Sequence, residues 1–117
     1  MTYLCLVYFE PSAMEALNKD EKKTLDRDSM AYDRELERSG HFIVANALQP
    51  VNTARTVRVR RGKISQTDGP FAETKEHLGG FILINAANMD EATEVASKIP
   101  MARIGAIEVR PIMKIEG

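Results

Sequence analysis

Two strand–helix–strand units follow one another in this 117-residue chain, and that repetition constrains the fold more than any other feature. The first unit has an apolar run at residues 3–9, a charged helical segment at 18–39 and a second apolar run at 41–45. The second unit repeats this order, with its strand, helix and strand at residues 81–84, 88–99 and 107–113. Two such units most simply form an α+β, ferredoxin-like split βαβ fold, with both helices on one face of an antiparallel sheet.

The first helix has one row of side chains, the inward stripe, that is predicted to face the protein interior. Leu25, Ser29, Tyr32 and Leu36 recur at helical spacing, and Gly40 follows as a C-terminal cap. Ser29 is the polar member of this stripe, so we expect its hydroxyl to face the interior. In the second helix, Asn88 and Glu91 have the spacing of a capping box.

A hairpin is inserted between the two units. Residues 55–60 alternate between apolar and polar, Arg61-Gly62 turns the chain, and residues 64–67 pair back. The insertion holds the chain's basic patch: Arg55, Arg58, Arg60, Arg61 and Lys63. Because no aromatic residues are interleaved and the whole chain has a net charge of −1, we predict no nucleic-acid partner.

Helices on one face leave the other face of the sheet uncovered. First-strand side chains such as Cys5 and Val7 would then meet water, and we predict a homodimer that stacks two sheets. We expect residues 1–117 to form a single domain, since this length suits one.

Composition excludes several classes of protein. A single Cys excludes an internal disulfide and a multi-cysteine zinc site, and the two His lack the spacing of metal ligands. No apolar run is long enough for a signal peptide or a membrane span, and no glycine-rich phosphate loop is present. We therefore expect a cytoplasmic protein with no cofactor, no metal and no membrane partner.

The segment Asp68-Gly69-Pro70-Phe71-Ala72-Glu73-Thr74-Lys75-Glu76, followed by Leu78-Gly79-Gly80-Phe81, resembles the signature of DGPF-domain proteins in the YCII-related family. The similarity extends to residues 108–112 and covers essentially the whole chain. It implies a dimeric α+β barrel built on a ferredoxin-like protomer. The family is largely uncharacterised; it includes a dehydrochlorinase of a chlorinated aromatic and members associated with extracytoplasmic-function sigma factors. Relatives carry a His on the first helix where the register here gives Ser29, and a hydroxyl cannot replace imidazole as an acid or base near pH 7.

Residues 68–76, the motif segment, supply the candidate catalytic groups. We predict Asp68 or Glu73 as a general base, with Lys75 or Arg110 as the group that stabilises negative charge. The alternatives are structural: Asp68-Gly69-Pro70 is also a turn sequence, and closely spaced charges usually form a solvated cluster.

Further candidates are predicted to bind a ligand in a pocket between the sheet and the first helix. Arg110 shares a strand face with Glu108, so it either forms an ion pair or presents a guanidinium to a carboxylate ligand. The predicted ligand-binding set is Ser29, Tyr32, Phe71, Glu76 and Arg110.

Two functions follow from these observations. The first is a homodimer that binds a small carboxylate or phenol and carries out cofactor-independent proton transfer or lyase-type chemistry. The second is a non-catalytic ligand-sensing or regulatory module associated with an extracytoplasmic-function sigma factor.

Overall fold

A computed structural model describes residues 1–115, and its helices and strands follow the predicted order with one short helix added after the first strand. The elements are β1 (Thr2–Phe9), α1 (Pro11–Glu15), α2 (Lys19–Arg38), β2 (Phe42–Ala47), β3 (Arg55–Arg60), β4 (Lys63–Asp68), β5 (His77–Asn85), α3 (Met89–Ser97) and β6 (Gly105–Pro111). Short 3₁₀ turns occur at Val51–Thr53 and Pro100–Arg103.

The main sheet has four strands in the order β2-β5-β1-β6, and every neighbouring pair is antiparallel. Strand β5 therefore lies between β1 and β2, which are connected through α2. This is the split βαβ arrangement that the sequence predicted. Strands β3 and β4 form a separate two-stranded hairpin, so the predicted insertion is also confirmed.

The core lies between α2, α3 and one face of this sheet. Tyr3, Cys5 and Val7 of β1 point toward the helices and are buried, and Ile84 of β5 is completely buried beside them. Burial of one such isoleucine side chain contributes about 1.5–3 kcal/mol to folding. The prediction that Cys5 and Val7 occupy the uncovered face is wrong, because alternation along β1 gives that face to the residues between them.

On the opposite face of the sheet, the open face, no helix of residues 1–115 is packed. Leu4, Leu6 and Tyr8 of β1 lie here, next to Phe81 and Leu83 of β5. These side chains are half-buried, which means that they cover one another only partly. The protein measures 47 × 45 × 19 Å, and its short axis corresponds to one sheet and one helix layer.

Helix α2 begins with a complete capping box. The Asn18 side chain accepts a hydrogen bond from the Glu21 N–H at 2.8 Å, and the Glu21 carboxylate accepts one from the Asn18 N–H at 3.0 Å. At the other end Gly40 has φ 81°, and the His41 N–H returns to the Leu36 carbonyl. Such caps satisfy backbone groups that a helix end otherwise leaves unpaired.

The capping box predicted for α3 is only half formed. Asn88 accepts the Glu91 N–H at 2.9 Å, but the Glu91 carboxylate accepts the Ala87 N–H rather than that of Asn88. Its other oxygen lies 2.7 Å from Nε2 of His41, whose Nδ1 lies 2.7 Å from the Ser39 hydroxyl. This chain of polar groups connects the end of α2 to the start of α3.

The β3–β4 hairpin, hereafter the arm, projects from the body of the protein. Its two strands pair closely with each other and pack extensively against no other element described. Val57, Val59 and Ile64 are each more than half exposed. The protein's radius of gyration is 16.3 Å, whereas a compact chain of this length has about 13 Å. A projecting arm and an uncovered face are consistent with that excess.

Candidate functional site

A cavity of about 390 Å³ lies between α2 and the sheet, and we refer to it as the α2 cavity. Its floor is formed by β1, β2 and β5, and α2 forms the opposite wall. Most of the lining is apolar, including Phe9, Met14, Leu25, Ala45, Ile82 and Met101. A volume of this size is within the range of small-molecule sites.

The inward stripe of α2 places two predicted ligand-binding residues at this cavity. Both Ser29 and Tyr32 line it, while Leu25 and Leu36 of the same stripe are buried. The Tyr32 hydroxyl donates a hydrogen bond of 2.7 Å to the Val95 carbonyl of α3. Burial, followed by the charge of Glu35, raises the pKa of Tyr32 to about 12. Tyr32 therefore forms a fixed wall and does not exchange protons near neutral pH.

Asp33 was missed by the sequence analysis. Its half-buried carboxyl lines the α2 cavity, and burial raises its pKa, with a further contribution from the charge of Glu37. Asp33 lies four residues after Ser29, so both side chains share one helix face. The four-residue spacing from Ser29 could have indicated Asp33, but α2 has so many charged residues that one carboxyl does not stand out in the sequence.

Two glycines of β5 allow the cavity floor to approach β1 and β2 closely. A Cβ on Gly79 would lie 2.5 Å from the Phe9 ring, and one on Gly80 would lie 2.7 Å from the Asn46 carbonyl oxygen. The Gly79-Gly80 pair that follows the motif segment therefore has a packing role.

The motif segment lies on a different concavity, of about 810 Å³. This motif concavity is bordered by Tyr8 and Leu78 and includes most of the motif segment, with Asp68, Phe71, Glu73 and Glu76. A smaller depression connects the two regions, sharing Phe9 and Met14 with the α2 cavity and His77 and Leu78 with the motif concavity. The structure thus places the predicted residues in two neighbouring concavities.

Asp68 is at the base of the arm, and 85% of its side chain is exposed. Its carboxylate lies 3.3 Å from Nε of Arg55 on the paired strand. The following Gly69, with φ 107°, donates its N–H to the Ala54 carbonyl and accepts a hydrogen bond from the Thr56 hydroxyl. These contacts close the arm, as the turn interpretation of this sequence requires.

The other predicted residues of the motif segment are exposed. Glu73 and Glu76 are in contact with solvent, Phe71 is 77% exposed, and the Lys75 ammonium lies 3.8 Å from the Glu10 carboxylate. An exposed ion pair of this kind contributes little to stability.

Arg110 lies apart from both concavities, on the open face. It stands opposite Leu4 of β1, and its Nε is 3.7 Å from the Glu108 carboxylate. The shared strand face predicted for these two residues is present, and so is the ion pair. The α2 cavity is on the other side of the sheet from Arg110.

Two further classes of site bear on the chemistry. In residues 1–115, no three His, Cys, Asp or Glu side chains come together in a way that would hold a metal ion. Cys5 is buried, and burial raises the pKa of its thiol to about 11. None of the helices in this part of the chain is both long and apolar enough to cross a bilayer.

An antiparallel sheet with two helices on one face defines a small α+β protein of split βαβ topology. Its candidate site is a half-buried carboxyl in the cavity between α2 and the sheet. Residues 1–116 match the YCII-related domain, and the chain belongs to this family. It is 39% identical over 114 residues to the uncharacterised protein R00369 of Rhizobium meliloti (strain 1021), which covers 96% of this chain and 92% of that protein.

A solved structure shares the fold. It is 5-chloro-2-hydroxyhydroquinone dehydrochlorinase (TftG) from Burkholderia phenoliruptrix AC1100, in complex with 2,5-dihydroxybenzoquinone. The TM-score is 0.57 with 16% sequence identity, over 97% of this chain and 94% of that one.

Proposed function

We propose that this chain is a homodimeric enzyme that binds a small phenol or aromatic carboxylate in the α2 cavity and carries out cofactor-independent proton transfer, as in a lyase reaction. The observation that carries the proposal is Asp33, a half-buried carboxyl in a mostly apolar cavity. A carboxyl whose pKa is raised toward neutrality exchanges protons more effectively as a general acid or base.

The composition of the cavity favours an aromatic ligand. Phe9, Met14 and Leu25 provide apolar walls, and Ser29 places a hydroxyl one helical turn from Asp33. A ring carrying a hydroxyl or carboxylate group would place its apolar body against these walls and its polar group near the two α2 side chains. The 2,5-dihydroxybenzoquinone named with TftG is likewise a planar six-membered ring that carries hydroxyl groups, which supports this choice.

Asp33 is a stronger candidate for the base than the residues proposed from the sequence. Asp68 is largely exposed and lies beside Arg55, and Glu73 is exposed. Their catalytic roles, and that of Lys75, stay predictions that place the chemistry in the motif concavity instead.

The homodimer is proposed from the open face. Apolar side chains such as Leu4, Leu6 and Leu83 are only half-buried there, and a second copy stacked on this face would cover them. The thin, wide shape of the protomer offers a large surface for such stacking. This arrangement would give the dimeric α+β barrel that the family resemblance implies.

The test is a thermal-shift screen of phenols, benzoates and hydroxyquinones, repeated with Asp33→Asn and, as its matched control, Asp68→Asn. We expect at least one compound to raise the melting temperature of the wild type and of Asp68→Asn but not that of Asp33→Asn. Loss of the shift only in Asp68→Asn would move the site to the motif concavity. If no compound binds the wild type, the small-molecule proposal is wrong.

A regulatory module is the second candidate, and the exposed Phe71 favours it. A solvent-exposed aromatic ring is typical of protein-binding surfaces. This hypothesis predicts that the chain binds an extracytoplasmic-function sigma factor from the same genome, and that Phe71→Ala abolishes the complex without changing far-UV circular dichroism. Unchanged binding by Phe71→Ala, or no binding by the wild type, would contradict it.

A further inference from the structure

The arm has an apolar strip that the described part of its own chain, residues 1–115, does not cover. Val59 pairs with Ile64 across the hairpin, and Val57 lies on the same face two residues earlier. All three side chains are more than half exposed. A two-stranded hairpin is only marginally stable by itself in water, so its order depends on a surface that packs against it.

The tip of the arm holds an arginine in an unfavourable backbone conformation. Arg61 has φ 52° and Gly62 has φ 75°, which together form a two-residue turn of the primed type. Asn or Asp is the usual first residue of such a turn, because a larger side chain disfavours positive φ. Among residues 1–115, Arg61 is the one non-glycine residue with positive φ. The conformational cost indicates that the guanidinium at the tip has a role.

That role cannot be at the chain's own motif segment. The strands of the arm are six residues long, which places the tip about 20 Å from Asp68 at its base. An arginine side chain does not span such a distance. Arg61 is therefore available only to another molecule.

Charge identifies a second copy of this chain as that molecule. Residues 55–68 carry a formal charge of +4, whereas the whole chain carries −1, so the other residues together carry −5. Outside the arm, the motif segment contributes exposed Glu73 and Glu76 against the single cation Lys75, and Asp68, already counted in the arm's charge, lies beside them at the base. A two-fold axis would let each arm meet the other copy's motif segment, since such an interface is reciprocal.

We infer that, in the homodimer proposed above, the arm of each copy packs its apolar strip on the other copy and brings Arg61 to that copy's motif segment. The motif concavity is then a composite site, acidic on one side and closed by a basic tip from the partner. Any anion bound there would be held by the partner's Arg61, and the concavity of an isolated chain is incomplete. The inference rests on the proposed homodimer and adds to it a specific contact.

Cross-linking between two variants that each carry one introduced cysteine tests this contact. Arg61→Cys and Glu73→Cys proteins are mixed and treated with a short bismaleimide; the native Cys5 is buried and does not interfere. We expect a covalent species of twice the 13.1 kDa chain mass. The matched control replaces Arg61→Cys by Arg34→Cys, an exposed basic position on α2, and should give no such species.

Light scattering on the wild type separates the possible failures. If the protein is dimeric but the Arg61→Cys and Glu73→Cys mixture gives no more product than the control, the arm inference is wrong and the dimer stands. If the protein is monomeric at every concentration, both the homodimer and the arm inference are wrong. A monomer that binds duplex DNA through the arm would also overturn the inference.

Two substitutions measure the contribution of the contact. Arg61→Asn suits the turn and removes the guanidinium, so it should fold normally while weakening the dimer by about fivefold at low salt. Val59→Lys should weaken it by at least about tenfold, because it places a charge in the apolar strip. A dimer dissociation constant unchanged by both substitutions would contradict the inference.

Discussion

The hydrogen bond between Tyr32 and the Val95 carbonyl joins the two helices across the core, and its contribution can be measured with Tyr32→Phe. The hydroxyl is buried and donates over 2.7 Å, so its removal eliminates a well-formed interaction. The Val95 carbonyl still accepts the Lys98 N–H at 3.2 Å, so it is not left without a partner. We therefore expect a loss of about 1 kcal/mol in the free energy of unfolding, and not the larger cost of an unsatisfied carbonyl.

Urea unfolding followed by far-UV circular dichroism gives the free energy of unfolding, at one fixed protein concentration because the proposed dimer would couple stability to concentration. For a chain of this length, the expected loss corresponds to a decrease of about 4 °C in melting temperature. The control is Tyr3→Phe on the helix-facing side of the sheet, where the same atom is removed from a buried ring whose hydroxyl contacts only the weakly accepting Met1 sulfur, at 3.7 Å. The control should differ from the wild type by less than about 0.5 kcal/mol. Equal effects of the two substitutions would refute the role of the hydrogen bond.

The remaining predictions concern the glycines and two carboxyls. Gly105→Ala should destabilise the protein more than Gly80→Ala, because its Cβ would overlap the Tyr8 carbonyl while that on Gly80 would lie 2.7 Å from a backbone oxygen; urea midpoints in the reverse order would contradict this. Asp33 has a raised pKa, so its folded form holds a proton more tightly, and stability should fall as the pH rises above its ordinary value of 3.8. Asp33→Asn should remove that decrease in melting temperatures measured from pH 3.5 to 7. The pKa of Glu91 shifts in the opposite direction, because the hydrogen bond from His41 lowers it. The contribution of Glu91 to stability should therefore be lost as the pH falls below about 4.5, and Glu91→Gln should reduce the decrease in melting temperature over that acidic range.

Periodicity was sufficient to predict the sheet and its two main helices. The stripe of Leu25, Tyr32 and Leu36 faces the core, and α2 ends just before Gly40, the residue predicted to cap it. Strand β6 lies at an edge of the sheet, a position that tolerates Pro111. These features follow from local sequence, since each depends on residues no more than a few positions apart.

Long-range placement was less accessible from sequence. The five-residue helix α1 was missed because Glu10-Pro11-Ser12 reads as a strand terminator, and Pro is also favoured at the first turn of a helix. Strand β5 begins at His77, four residues earlier than predicted, because Gly79 and Gly80 weaken the strand pattern. The separation of Ser29 from Asp68 and Arg110 depends on which sheet face each residue occupies, and no local pattern specifies that.

The extra residue in β5 has a consequence for how this chain can change in length. Between Val7 and Tyr8 the pairing with β5 moves from Gly80 to Leu78, so Gly79 is the unmatched residue of a β-bulge. Deletion of Gly79 would restore regular pairing and leave Leu78 opposite Tyr8 and His77 opposite Phe9, on the faces that they already occupy. What would change is the local bend and twist of β5 beside the two depressions that His77 and Leu78 line. A one-residue deletion at this bulge should therefore be tolerated better than one in the regular pairing of Leu6 with Phe81, where it would reverse the sheet face of the residues beyond it.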